Sequence, residues 1–122
     1  MDARYAFAVR FRLDPERGVR VDPDVFETRV ERAAADPGEP GWLFFRDNLW
    51  RGEIGDSDHF REVTSDALGV PVDSVAYRAL ETDREYYDAL KEEIGAHLDL
   101  FNADSTPEVL NKYLGSSVEV TD

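Results

Sequence analysis

Residues 4–13 read Arg4-Tyr5-Ala6-Phe7-Ala8-Val9-Arg10-Phe11-Arg12-Leu13. Tyr5, Phe7, Val9, Phe11 and Leu13 fall on one face of an extended chain, and Ala6, Ala8, Arg10 and Arg12 on the other. Period two over this length predicts a β-strand. Its first half is apolar on both faces, as a strand inside a sheet requires. The rest of the chain must therefore supply neighbours for it.

Downstream, Asp14-Pro15-Glu16-Arg17-Gly18 reads as a turn, and Val19 and Val21 extend the strand or belong to the crossing. Asp22-Pro23 predicts the start of a helix, with Val25, Phe26, Arg29, Val30, Ala33 and Ala34 as its buried stripe. The proline-glycine run at 36–41 ends it. Trp42 to Arg46 and Leu49 to Ile54 then read as two strands around an Asp47-Asn48 turn. Gly55-Asp56-Ser57 opens a helix lined by Phe60, Val63, Thr64, Ala67 and Leu68, with Gly69 as a left-handed stop. Asp73 to Leu80 alternates as a strand. Thr82-Asp83-Arg84-Glu85 reads as a capping box before a helix that turns Tyr86, Tyr87, Leu90, Ile94, Leu98 and Phe101 inward. Thr106-Pro107 starts a short helix that Gly115 stops, and Val118 and Val120 suggest a last strand.

The expected order is β-α-β-β-α-β, followed by helices and a short strand. This is an α/β (α+β) chain on a ferredoxin-like plan: an antiparallel sheet with helices on one face, plus a C-terminal helical extension and a short final strand. The other face needs a cover, either the C-terminal helices or a second copy of the chain. The length of 122 residues fits a single domain over residues 1–122.

Composition narrows the setting. Asp and Glu number 27 against 14 Lys and Arg, giving a net charge of -13, and there is no cysteine. Disulfides, thiol chemistry and thiolate metal sites are thereby excluded. Lysine occurs only at Lys91 and Lys112. Lysine stems cover apolar surface, whereas short carboxylates hold water. Molar salt shrinks the Debye length to ~3 Å and removes most self-repulsion. The balance predicts a salt-adapted protein. Nucleic acid, which needs compensating cations, and anionic membranes are poor partners. The start, Met1-Asp2-Ala3-Arg4, lacks the apolar core of a signal peptide, so a cytoplasmic location is expected.

Leu49-Trp50-Arg51 within this acidic, lysine-poor background resembles the LWR-salt proteins, a family of small proteins from salt-loving archaea that takes its name from the triplet. The resemblance implies a host class. It assigns no catalytic residue.

Two groups of residues are candidates for chemistry. Arg10, Arg12, Trp42, Arg46, Trp50 and Arg51 could frame a small anionic ligand, since arginine offers a planar donor fork and aromatic walls add contact area. Glu53, Asp56, Asp58 and His59 carry the donor types of a divalent-metal site. Asp56 also suits an ordinary helix cap. No phosphate-loop or dinucleotide motif occurs, no nucleophile elbow is present, and no cofactor is expected. The functional expectation is a non-enzymatic interaction or small regulatory module, a homodimer or the binder of another protein. A ligand-binding protein or enzyme built on the 42–51 segment is the alternative, and a metal-dependent activity at 53–59 follows.

Overall fold

The computed structural model describes residues 1–12 and 25–121. The turn expected at Asp14 to Gly18, the extension through Val19 and Val21, and the Asp22-Pro23 helix start lie outside the described residues.

Strand β1 (Ala3–Arg12) is interior, as its two apolar faces require. It pairs antiparallel with β2 (Val25–Ala33) on one side and with β5 (Val72–Asp83) on the other. The sheet order is β2-β1-β5-β6, with β6 (Val118–Thr121) parallel to β5. Between them come α1 (Phe44–Asn48), the two-residue strands β3 (Leu49–Trp50) and β4 (Glu53–Ile54), and α2 (Ser57–Leu68). After β5 follow α3 (Arg84–Ala96), a 3-10 turn (Leu98–Phe101) and α4 (Thr106–Leu114). The chain is thus a mixed α/β fold: a four-stranded sheet, helices on one face, and a C-terminal helix with a short last strand.

The connectivity departs from the expected order at two places. Residues 25–33 form a strand, not a helix. Val25, Phe26, Thr28 and Val30 are β-branched or aromatic and favour a pleated surface, and β1 needs a partner on this edge. Phe26 lies directly across from Phe11, with the two rings stacked at 5.7 Å. Residues 42–46 form a turn and the start of α1, not a strand. Trp42, Phe45 and Leu49 are the buried residues here, and their spacing of three and four is helical. The hairpin turn falls at Arg51-Gly52, because Leu49 pairs with Ile54 and Trp50 with Glu53. Two helix starts shift by one residue. Asp83, not Thr82, caps α3 by accepting from the Tyr86 N–H at 2.7 Å, and Ser105 caps α4.

The core lies between the sheet and the helices. Tyr5, Phe7, Val9, Tyr77 and Leu80 of the sheet meet Phe45, Leu90, Ile94, Phe101, Val109 and Leu114. Phe45 stacks on Phe101 at 5.7 Å, and Tyr5 meets Phe44 at 4.6 Å. The Tyr86 hydroxyl donates to the Ala35 carbonyl at 2.7 Å, which ties α3 to the end of β2.

Among the described residues the opposite face carries no helix. The C-terminal helices, one of the two covers considered for it, pack on the first face, where Tyr113 meets Phe45. Its floor is alanine: Ala6 and Ala8 of β1 lie across from Ala79 and Ala76 of β5. Ala6 is nevertheless fully buried, because charged side chains flank it. The Arg4 Nε donates to Glu81 at 3.0 Å, Arg29 reaches Glu81 and also Glu31 at 3.0 Å, and so β2, β1 and β5 share one ion network. These hydrogen bonds, that from Arg29 first, hold the Glu81 carboxyl below the ordinary glutamate value. Its stabilisation is therefore fully present above the unfolded-state value and is lost as pH falls through the lowered folded value. Glu81→Gln is expected to cost on the order of 1 kcal/mol at neutral pH. Urea unfolding should show the wild type and the variant converging in acid, and also in molar salt, which screens the network.

Candidate functional site

The Leu49-Trp50-Arg51 segment is built as a tight turn held by a helix end. Leu49 enters the core. Arg51 and Gly52 both have positive φ, 52° and 81°, the backbone of a two-residue hairpin loop of type I′. The Arg51 N–H donates to the Lys112 carbonyl at 2.8 Å and the Gly52 N–H to the Tyr113 carbonyl at 2.9 Å. Both carbonyls belong to the last turn of α4, where helical partners run out. The hairpin thereby finishes the helix, and the helix fixes the hairpin.

This arrangement leaves the Trp50 side chain 48% exposed. The Tyr113 ring meets it edge-on at 5.9 Å and 84°. The Arg51 guanidinium lies 5.8 Å and the Lys112 ammonium 5.9 Å from the indole centre. Cations near an indole are favourable neighbours. Lys112 also donates to the Phe101 carbonyl at 2.9 Å, so its position is fixed. Neither cation has a carboxylate at ion-pair distance among the described residues.

The other expected ligand residues do not join this cluster. Arg46 pairs with Asp47 at 3.0 Å and donates to the Leu100 carbonyl at 3.3 Å. Arg12 pairs with Asp73 at 2.9 Å. Arg10 stands on the helix-free face of the sheet, across from Glu27 and Ser74. Trp42 is 9% exposed and packs its ring against Phe45, Phe101 and His97. It also borders an open groove of about 570 Å³ together with Arg32, Phe44, Asp47 and Asn48. The cation in that groove is Arg32, lying 4.4 Å over the Phe44 ring. A helical reading of 25–34 gave no reason to select Arg32, whereas a strand pairing Arg32 with Tyr5 turns it toward the helices. Lys112 was missed as well. Its rarity as one of two lysines was the available signal.

The four residues expected to offer metal donors at 53–59 are not brought into one cluster. Among the described residues no three His, Asp or Glu side chains gather to hold an ion. Asp56 is the α2 cap, accepting from the His59 N–H at 3.1 Å. Asp58 pairs with Arg61 at 3.5 Å, and Glu53 lies across from Trp50 on β4. A helix start placed these residues close in sequence, and its cap uses one of the carboxylates.

Three tyrosines have strongly shifted phenols. Burial raises Tyr5, and raises Tyr77 and Tyr86 to about 12. All three therefore stay protonated at neutral pH and act as packing groups with a hydrogen-bonding tip. Tyr77 and Ser117 are hydrogen-bonded at 3.0 Å. Among the described residues no helix is long and apolar enough to cross a membrane.

A family model described as LWR-salt protein matches residues 1–122, and the chain belongs to that family. Comparison with curated proteins and with solved structures finds no match.

The turn generates a paired prediction. A methyl group at Gly52 would meet the Leu114 carbonyl oxygen at 3.1 Å with φ already at 81°, so Gly52→Ala should cost ~1–2 kcal/mol. Arg51→Gly removes a left-handed arginine, and stability should stay level or rise by up to ~1 kcal/mol. Chemical denaturation of the two variants reads both effects.

Proposed function

We propose that this LWR-salt family member is a non-enzymatic interaction module of a salt-adapted cytoplasm, and that it associates with a second copy of itself along α2 and β2. One observation carries the reading: α2 has an apolar stripe and buries none of its residues. Val63 is 50% and Leu68 42% exposed. With Phe60 and Ala67 they border a groove of about 220 Å³ whose other side is Phe7, Val9, Val30 and Val75. Exposed apolar side chains grouped in this way favour a protein contact.

The choice of a second copy rests on the neighbouring edge. β2 ends the sheet, and among the described residues nothing pairs with its outer side. An unpaired edge is a template for another strand. Antiparallel pairing of two β2 strands about Val30 would set Val30 against itself beside the two α2 grooves. Arg29 would then face Glu31 of the partner subunit, and Glu31 would face Arg29 of the partner subunit, so opposite charges meet across the axis. The net charge of -13 opposes this in dilute solution. Molar salt screens that repulsion and favours apolar burial.

A second reading, a small anionic ligand, is favoured by the groove in which Arg32 lies over Phe44 beside Trp42. A phosphate monoester would then alter Trp42 emission saturably, and Arg32→Leu would abolish the response. No response in the wild type counts against it.

Sedimentation in molar potassium chloride tests the main reading. A dimer is expected that weakens as salt is lowered. Val63→Asp with Leu68→Asp should yield a folded monomer with unchanged circular dichroism. A wild type that stays monomeric at every protein and salt concentration overturns it. Stability that does not change between dilute and molar salt sinks the salt-adapted setting.

A further inference from the structure

We infer that Trp50, Tyr113, Arg51 and Lys112 form a docking point for an acidic polypeptide segment, one that carries carboxylates beside apolar side chains. The inference uses none of the α2 and β2 residues and goes beyond self-association.

Four observations converge on it. Trp50 is among the most exposed large apolar side chains of the described residues, and Tyr113 meets its ring edge-on. Two cations share that indole, at 5.8 and 5.9 Å, and neither is neutralised by a carboxylate among the described residues. Glu53, the cross-strand neighbour of Trp50, makes no ion pair with either. In a chain with 27 acids and 14 bases, Arg4, Arg12, Arg29, Arg46 and Arg61 have acidic partners, whereas Arg51 and Lys112 share one indole without any among the described residues. The group is also rigid. Two backbone hydrogen bonds hold the turn on α4, and the Lys112 ammonium is fixed by the Phe101 carbonyl. Finally, Arg51 occupies a left-handed position, φ 52°, where glycine or asparagine would be easier. An unfavourable backbone state at an exposed residue points to use of its side chain.

The partner follows from the chemistry. Tryptophan and arginine are frequent anchors of protein contacts. Two separated cations around one indole suit a chain with several carboxylates, whose apolar side chains can rest on the ring. Rigid placement lowers the entropy lost on binding.

Calorimetric titration of the full chain with a decapeptide of alternating glutamate and leucine tests this, in potassium chloride that keeps the chain folded. Saturable binding is expected, weakened at least tenfold by Arg51→Gly and by Lys112→Gln. Val63→Asp should bind as the wild type does, which separates this surface from the α2 groove. If Lys112→Gln fails to fold, Arg51→Gly and Trp50→Ala carry the test, because backbone bonds hold that turn. Absence of saturable binding overturns the inference, as does equal affinity in Arg51→Gly. Equal binding of a lysine–leucine decapeptide would reduce the site to apolar contact and overturn it. Displacement of the peptide by equimolar inorganic phosphate would assign the cations to small anions, with the same consequence.

Discussion

The double pairing of β1 is the constraint on which the other elements depend. A strand with Tyr5, Phe7 and Val9 on one face and Ala6 and Ala8 on the other must have hydrogen-bonded neighbours on both edges. β2 and β5 meet that need. The large side chains set where helices can pack, and the alanines set where they do not. Phe44 docks on Tyr5 and Phe60 on Phe7, so α1 and α2 inherit their positions from alternate residues of a single strand. The same alternation sends Arg4 and Arg10 to the helix-free side.

That side explains how a sheet can leave a face uncovered. Alanine leaves little apolar surface to hide, and arginine and glutamate stems from three strands lie over what remains. Arg4, Arg29, Glu31 and Glu81 hold those stems in place. Among the described residues this sheet face thus has its cover in side chains, and apolar surface stays open at the edge where α2 keeps its stripe partly exposed.

Much of this was legible along the chain. The period-two stretch at 4–12 announced an interior strand. Asp56 and Gly69 bracketed α2 through a cap and a left-handed stop, both local signals. Residues 25–34 read as a helix because Val25, Phe26, Val30, Ala33 and Ala34 suit a helical stripe, while the fact that makes them a strand, the empty edge of β1, is tertiary. Trp42 to Phe45 failed for a related reason: four consecutive apolar residues carry no period. The candidate site was legible in part. Trp50 and Arg51 stood out by type, but Lys112 is 61 residues from Arg51 in the chain and joins them only through the α4 contact. The separation of Arg10, Arg12 and Arg46 from that cluster also depends on packing, since β1 carries Arg10 and Arg12, the latter paired with Asp73, and α1 carries Arg46 paired with Asp47.

The turn at Arg51 shows why geometry and charge have to be weighed separately. Its work for the fold is done by backbone: two N–H groups complete the end of α4. Any residue that tolerates the left-handed region could donate that bond, and glycine would do so with less strain. The guanidinium contributes nothing to this closure. It stays on the surface over Trp50, and nearby stands one of the two lysines of the chain. In a protein with 27 acids against 14 bases, two cations beside one exposed indole stand apart from the average surface. The fold holds these two, with the indole, at a hairpin fixed to α4 by two backbone hydrogen bonds.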